Sequence, residues 1–153
     1  MKKITLFIFL ISSTLYSQTP ITDANFHQAI NTCLSTNPVD GMCSNSEYGA
    51  MPDWDVSQVT NMKRAFVFRQ NFNADISLWN LINVINTEDM FVSATSFNQN
   101  IGLWNVSNVR NMRNMFGNAT SFNQDIGSWN VSKVENMFGL FGGAESFNQN
   151  IGS

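Results

Sequence analysis

The chain has 153 residues, enough for one domain with a core of its own. Only 12% of them are charged while 12% are aromatic, which excludes a long disordered polyelectrolyte. The formal net charge is −3 and no basic run is present, so nucleic acid and anionic membrane surfaces are poor partners.

Residues 1–17 read as a secretory signal peptide. Lys2 and Lys3 form a basic start, ITLFIFLISSTLYS supplies an apolar stretch, and Ser17 is a small residue suited to cleavage before Gln18. The apolar run is too short for a comfortable membrane span. The expectation is export, to the medium or the bacterial cell surface, with no membrane insertion after cleavage. With Lys2 and Lys3 set aside, six Lys/Arg face eleven Asp/Glu.

Residues 18–52 predict an N-terminal cap. In ITDANFHQAINTCL, Phe26, Ala29, Ile30, Cys33 and Leu34 fall along one helical face, with Thr22 or Asp23 as N-cap and Asn37-Pro38 as the stop. Cys33 and Cys43 are the two cysteines, ten residues apart; in an exported chain they read as a disulfide closing a short loop. A metal site would need further thiol or imidazole ligands, and His27 is the single histidine.

Residues 53–153 read as four 25-residue repeats. Trp54, Trp79, Trp104 and Trp129 are all the tryptophans, and they share one spacing with Phe72, Phe97, Phe122 and Phe147. Asn61, Asn86, Asn111 and Asn136 keep the same register, as do Asn73, Asn98, Asn123 and Asn148. A constant period of this size marks a solenoid whose units cannot bury their apolar face alone. The Trp and Phe columns are expected as core ladders. The Asn columns are expected to serve the same core, as stacked amides that satisfy inward-facing backbone groups.

Within one unit, Val106 to Asn111 predicts a short strand, one per coil in a parallel sheet. Met112, Met115, Phe116 and Ala119 then fall at helical spacing, enough for two turns. The expected fold class is therefore an α/β repeat solenoid with an N-terminal capping helix. The final SFNQNIGS stops where the repeat calls for a tryptophan, so the fourth unit is expected to be C-terminally incomplete.

Chemistry is sparse. His27 lies off the apolar helical face, and nothing places a nucleophile beside it. Asp53 and Asp55 flank Trp54, but later copies replace Asp55 by Asn80, Asn105 and Asn130, which suits turn chemistry better than a metal site. No enzymatic activity, cofactor or metal is expected. The columns that change from unit to unit are Thr60, Ile85, Arg110, Glu135 and Lys63, Glu88, Arg113, Phe138. Variable outward positions on a repeated scaffold form the candidate binding face; unconstrained surface drift gives the same pattern.

The unit FNQDIGSWNVSKVENMF, with WDVSQVTNM and WNVSNVRNM, resembles the BspA-like leucine-rich-repeat surface proteins of bacteria. The resemblance covers residues 53–153, and the preceding cysteine-containing segment with EYGAMPDW also resembles that family's N-terminal leader. It implies a leucine-rich-repeat-like solenoid, cell-surface display, and adhesion-type binding to an extracellular or host-surface protein. The alternative is a stalk or spacer that carries other domains and binds nothing itself. The second unit departs from the pattern: LINVINTEDMF puts Thr87 where the other copies have Met.

Overall fold

A computed structural model describes residues 18–152; the expected signal peptide lies outside them. The one α-helix among the described residues, α1, runs Phe26–Thr36 and buries Phe26, Ala29, Ile30, Cys33 and Leu34. Its N-cap is Asn25, not Thr22 or Asp23. The Asn25 carboxamide turns back instead, accepting from the Thr22 N–H at 2.8 Å and donating to the Pro20 carbonyl. That leaves the Asp23 carboxylate available for a different partner. A disulfide joins Cys33 on α1 to Cys43 in the following loop, and a short 3-10 turn, Met51–Asp53, leads into the repeats.

The α/β repeat solenoid expected from the sequence is not what forms. Among the described residues there is no sheet, only isolated parallel bridges: Thr22 with Gln58, and Asn61 to Asn86 to Asn111 to Asn136. Among the described residues, no repeat contains an α-helix. The leucine-rich-repeat-like architecture, a strand and a helical segment per coil, is corrected on the same finding.

The backbone hydrogen bonds give the physical reason. In the first coil the N–H groups of Met62, Arg64, Phe66 and Phe68 donate to the carbonyls of Asn86, Glu88, Met90 and Val92 in the next coil. Between them, Ala65, Val67 and Arg69 donate locally, three residues back, to Met62, Arg64 and Phe66. A strand would send its alternate donors to a second neighbour, and a helix would keep all its donors local. Alternating between the two makes a run of turns that is neither. The switch requires left-handed residues, and they recur at the repeat spacing: Arg64, Asp89, Asn114 and Gly139 in one column, Phe68, Ser93, Asn118 and Gly143 in another, all with φ between 48° and 73°. A left-handed residue at every fourth position is incompatible with a helix. Met112, Met115, Phe116 and Ala119 still share the buried side, so the apolar period is real while the helix is not. The expected strand at Val106–Asn111 is likewise a turn, closed by the Val109 N–H on the Val106 carbonyl, with Asn111 alone bridging.

What stacks the coils is aromatic. Phe66, Phe91, Phe116 and Phe141 form one ladder with centroid steps of 5.4, 5.6 and 5.7 Å. Phe72, Phe97, Phe122 and Phe147 form a second, at 5.7, 6.0 and 5.8 Å. Within the third coil Phe116 and Phe122 also stack face to face, 4.0 Å apart. Such pairs add to their area burial. Thr87, the departure in the second coil, is fully buried and keeps its hydroxyl satisfied by donating to the Asn111 carbonyl at 3.3 Å.

Candidate functional site

The two variable columns flank the bridge residues of the Asn61 column, one residue before them and two after. Thr60 is already occupied: its N–H and hydroxyl both donate to the Asp23 carboxylate, at 2.8 and 2.6 Å, and the Asn61 N–H adds a third bond at 3.1 Å. Asp23 thus gives the first coil the acceptors that each later coil receives from its predecessor, as Ile85 does from the Thr60 carbonyl. Partial burial pushes the Asp23 carboxyl up, and the bonds from Thr60 and Asn61 outweigh it, leaving it below the usual carboxylate value.

The remaining residues of the face are brought together across coils. Glu88 lies between Lys63 at 3.0 Å and Arg113 at 3.8 Å. Arg110 pairs with Glu135 at 2.6 Å. The Arg113 guanidinium stands over the Phe138 ring, 5.9 Å from its centre. Ile85 is 47% exposed and Phe138 72%, so two large apolar side chains stand open among these charges.

The Asn columns divide into two jobs. Asn61, Asn86, Asn111 and Asn136 lie at the surface, half-buried at most, and each carboxamide oxygen accepts from the N–H two residues on. They are turn formers, not amides of the core, and Asn111 also donates across coils to the Glu88 carboxylate at 3.1 Å. The second column is the cross-coil ladder. Asn73, Asn98 and Asn123 accept from the N–H of Asn98, Asn123 and Asn148, each at 2.9 Å. Gln99, Gln124 and Gln149 reach back to the carbonyls of the same asparagines. The recurring word FNQ is therefore an interlock between neighbours. Asp55 is another turn former: its carboxylate accepts from the Ser57 N–H at 2.9 Å, and bonds from Ser57 hold it below the usual carboxylate value.

Sequence reasoning missed the left-handed columns and the groove beside them. Arg64, Asp89, Asn114 and Gly139 border an open groove of about 340 Å³ that also takes in Phe68 and Asn118. The signal was present in the Asn and Gly that both columns carry in the third and fourth coils, the residues that tolerate this backbone. Asn114 and Asn118 place their carboxamide oxygens where a Cβ on Gly139 or Gly143 would stand, so a side chain there must both displace an amide and bear the positive φ.

Residues 36–153 match the family described as "Mycoplasma protein of unknown function, DUF285". The chain belongs to this family. The match supports a bacterial surface-type repeat protein and does not extend to the BspA-like leucine-rich-repeat group. No curated protein and no solved structure matches the chain. Among the described residues, no helix is long and apolar enough to cross a membrane.

Proposed function

We propose that this DUF285 protein is a non-enzymatic, exported surface protein that binds an extracellular or host-surface protein. Its contact face is formed by the columns Thr60, Ile85, Arg110, Glu135 and Lys63, Glu88, Arg113, Phe138. The observation that carries the reading is the exposed Phe138 beneath Arg113, with Ile85 open on the same surface. Aromatic and arginine side chains are the residues that most often anchor protein interfaces. The stack holds them on a scaffold that loses little freedom on binding. Pull-down of matrix and epithelial surface proteins with the full chain, against an Arg113→Ala/Phe138→Ala variant, tests it. Enrichment lost in the variant supports the face; equal recovery by both forms removes it.

One observation favours a spacer instead. Lys63, Glu88, Arg110 and Glu135 pair with one another across coils, which leaves little charge for a partner. Deleting one coil between intact ends separates the two readings: a binder loses affinity and a spacer loses only reach.

A further inference from the structure

The two left-handed columns carry residues in the first coil that the backbone does not ask for. The third and fourth coils use Asn114, Asn118, Gly139 and Gly143, and the second uses Asp89 and Ser93. The first coil holds Arg64 and Phe68 there, each at φ +60°. A bulky side chain in this region is strained, and strain that persists needs a counterpart elsewhere. The bonds from the Arg64 and Phe68 N–H groups to Glu88 and Val92 hold the backbone, as in every coil, but neither they nor packing call for a bulky side chain. Phe68 is 66% exposed and stacks on no other ring among the described residues. Arg64 is exposed and makes no ion pair among them.

Both side chains open onto the 340 Å³ groove, whose floor steps from Val67 and Val92 to Gly117 and Gly142. Its walls are planar polar groups: Asp89, bonded to the Asn114 amide at 3.1 Å, and Asn118. Arg64 also borders a second groove of about 460 Å³ against α1, with His27, Lys63 and Arg69. Three of the six Lys/Arg in residues 18–153 therefore line this second groove, and Arg64 belongs to both, in a chain of pI about 4.9. Lys63 is engaged by Glu88 at 3.0 Å and one Arg69 nitrogen by Asn31 at 2.6 Å, whereas the Arg64 side chain has no ion pair or hydrogen bond among the described residues.

We propose that Arg64 and Phe68 form a binding site for an acidic oligosaccharide lying along this groove. One sugar ring packs its C–H face on Phe68, the carboxylate or sulfate meets the Arg64 fork, and Asp89 and Asn118 take hydroxyl groups. A peptide strand fits less well. The N–H groups of Arg64 and Phe68 already donate to Glu88 and Val92, so neither is free to pair with an added strand. The site uses other residues than the protein-binding face and stands or falls separately from it.

Calorimetric titration of the full chain with a heparin hexasaccharide, a hyaluronan hexasaccharide and maltohexaose tests the assignment, with a poly-glutamate peptide as comparison. At least one acidic sugar binds about tenfold or more tighter than maltohexaose and the peptide; hyaluronan carries carboxylates alone, so its binding shows that a carboxylate suffices. Phe68→Asn and Arg64→Asn, which install the residue that the third coil carries, each lower that affinity about tenfold or more while raising Tm. The proposal is overturned if neither acidic sugar binds, if maltohexaose or the peptide binds equally well, or if Phe68→Asn leaves affinity unchanged. A lower Tm in Phe68→Asn overturns it too, because the ring would then be held by packing.

Discussion

The indole N–H of Trp104 donates to the carbonyl of Ile76 at 3.0 Å, across the boundary between two coils. The same bond joins Trp79 to Met51 and Trp129 to Ile101, at 3.0 and 3.1 Å. Each tryptophan is therefore both a core ring and a clamp on a buried carbonyl that has no strand partner. Trp104→Phe keeps an aromatic ring and removes the donor, while the Ile76 carbonyl keeps the Trp79 N–H, so it should cost about 0.5–1.5 kcal/mol. Trp104→Ala should cost about 3–5 kcal/mol, because it also empties the ladder position. Urea denaturation of both variants checks the order; a Trp104→Phe variant as stable as the parent would mean that the indole bond contributes nothing.

A second expectation concerns Gly139, at φ +66°, with the Asn114 carboxamide over its Cα. Gly139→Ala meets that oxygen and a backbone penalty of about 1–2 kcal/mol. Adding Asn114→Gly clears the oxygen and leaves the penalty, so the double variant should recover part of the loss. A double-mutant cycle read by thermal unfolding measures the coupling, and simple additivity would remove the contact from the account.

Asp23 makes a prediction about pH. Its carboxyl is lowered in the folded chain because the bonds from Thr60 and Asn61 outweigh its partial burial. A depressed carboxyl contributes stability that is present above the unfolded value and is lost as pH falls through the folded one. Stability should therefore decline below about pH 4, partly through release of the N-terminal segment from Thr60. Asp23→Ala should be less stable than the parent at pH 7 and the two should converge as pH falls. Thermal melts at stepped pH would show this; a constant difference down to pH 2 would contradict it.

The disulfide closes a loop of ten residues between Cys33 and Cys43. Its removal by Cys33→Ala/Cys43→Ala should cost about 2–3 kcal/mol in the chain-entropy account. The loss should appear as a lower denaturation midpoint with the Phe ladders intact. Near-ultraviolet circular dichroism of the aromatic stack provides the check.

The FNQ interlock offers a last test. Asn98→Ala removes the acceptor for the Asn123 N–H and one partner of the Gln124 amide. The expected loss is about 1–2 kcal/mol. Asn61→Ala removes only a local turn bond to the Lys63 N–H and should cost less. Hydrogen exchange at Asn123 separates the cases, since only Asn98→Ala should accelerate it.

Much of the interior could be read directly from residue spacing. The 25-residue step identified the Trp and Phe columns that are buried, and the pattern over Phe26 to Leu34 is the face that α1 covers. Those signals depend on which side chains avoid water, and periodicity records that choice in the sequence itself. The backbone conformation was not legible in the same way. Met112 to Ala119 has helical spacing, yet Asn114 and Asn118 turn left-handed because their N–H groups find the carbonyls of Phe138 and Gly142 in the next coil. No local window contains those partners. The carbonyl that each indole clamps, the amide that each Gln reaches and the pairing of Glu88 between Lys63 and Arg113 likewise lie more than twenty residues away. The sequence by itself determined what is inside and at what interval; only the stacked neighbours decided that the chain satisfies its backbone by alternating turns, with Arg64 and Phe68 held outward at the cost of strain.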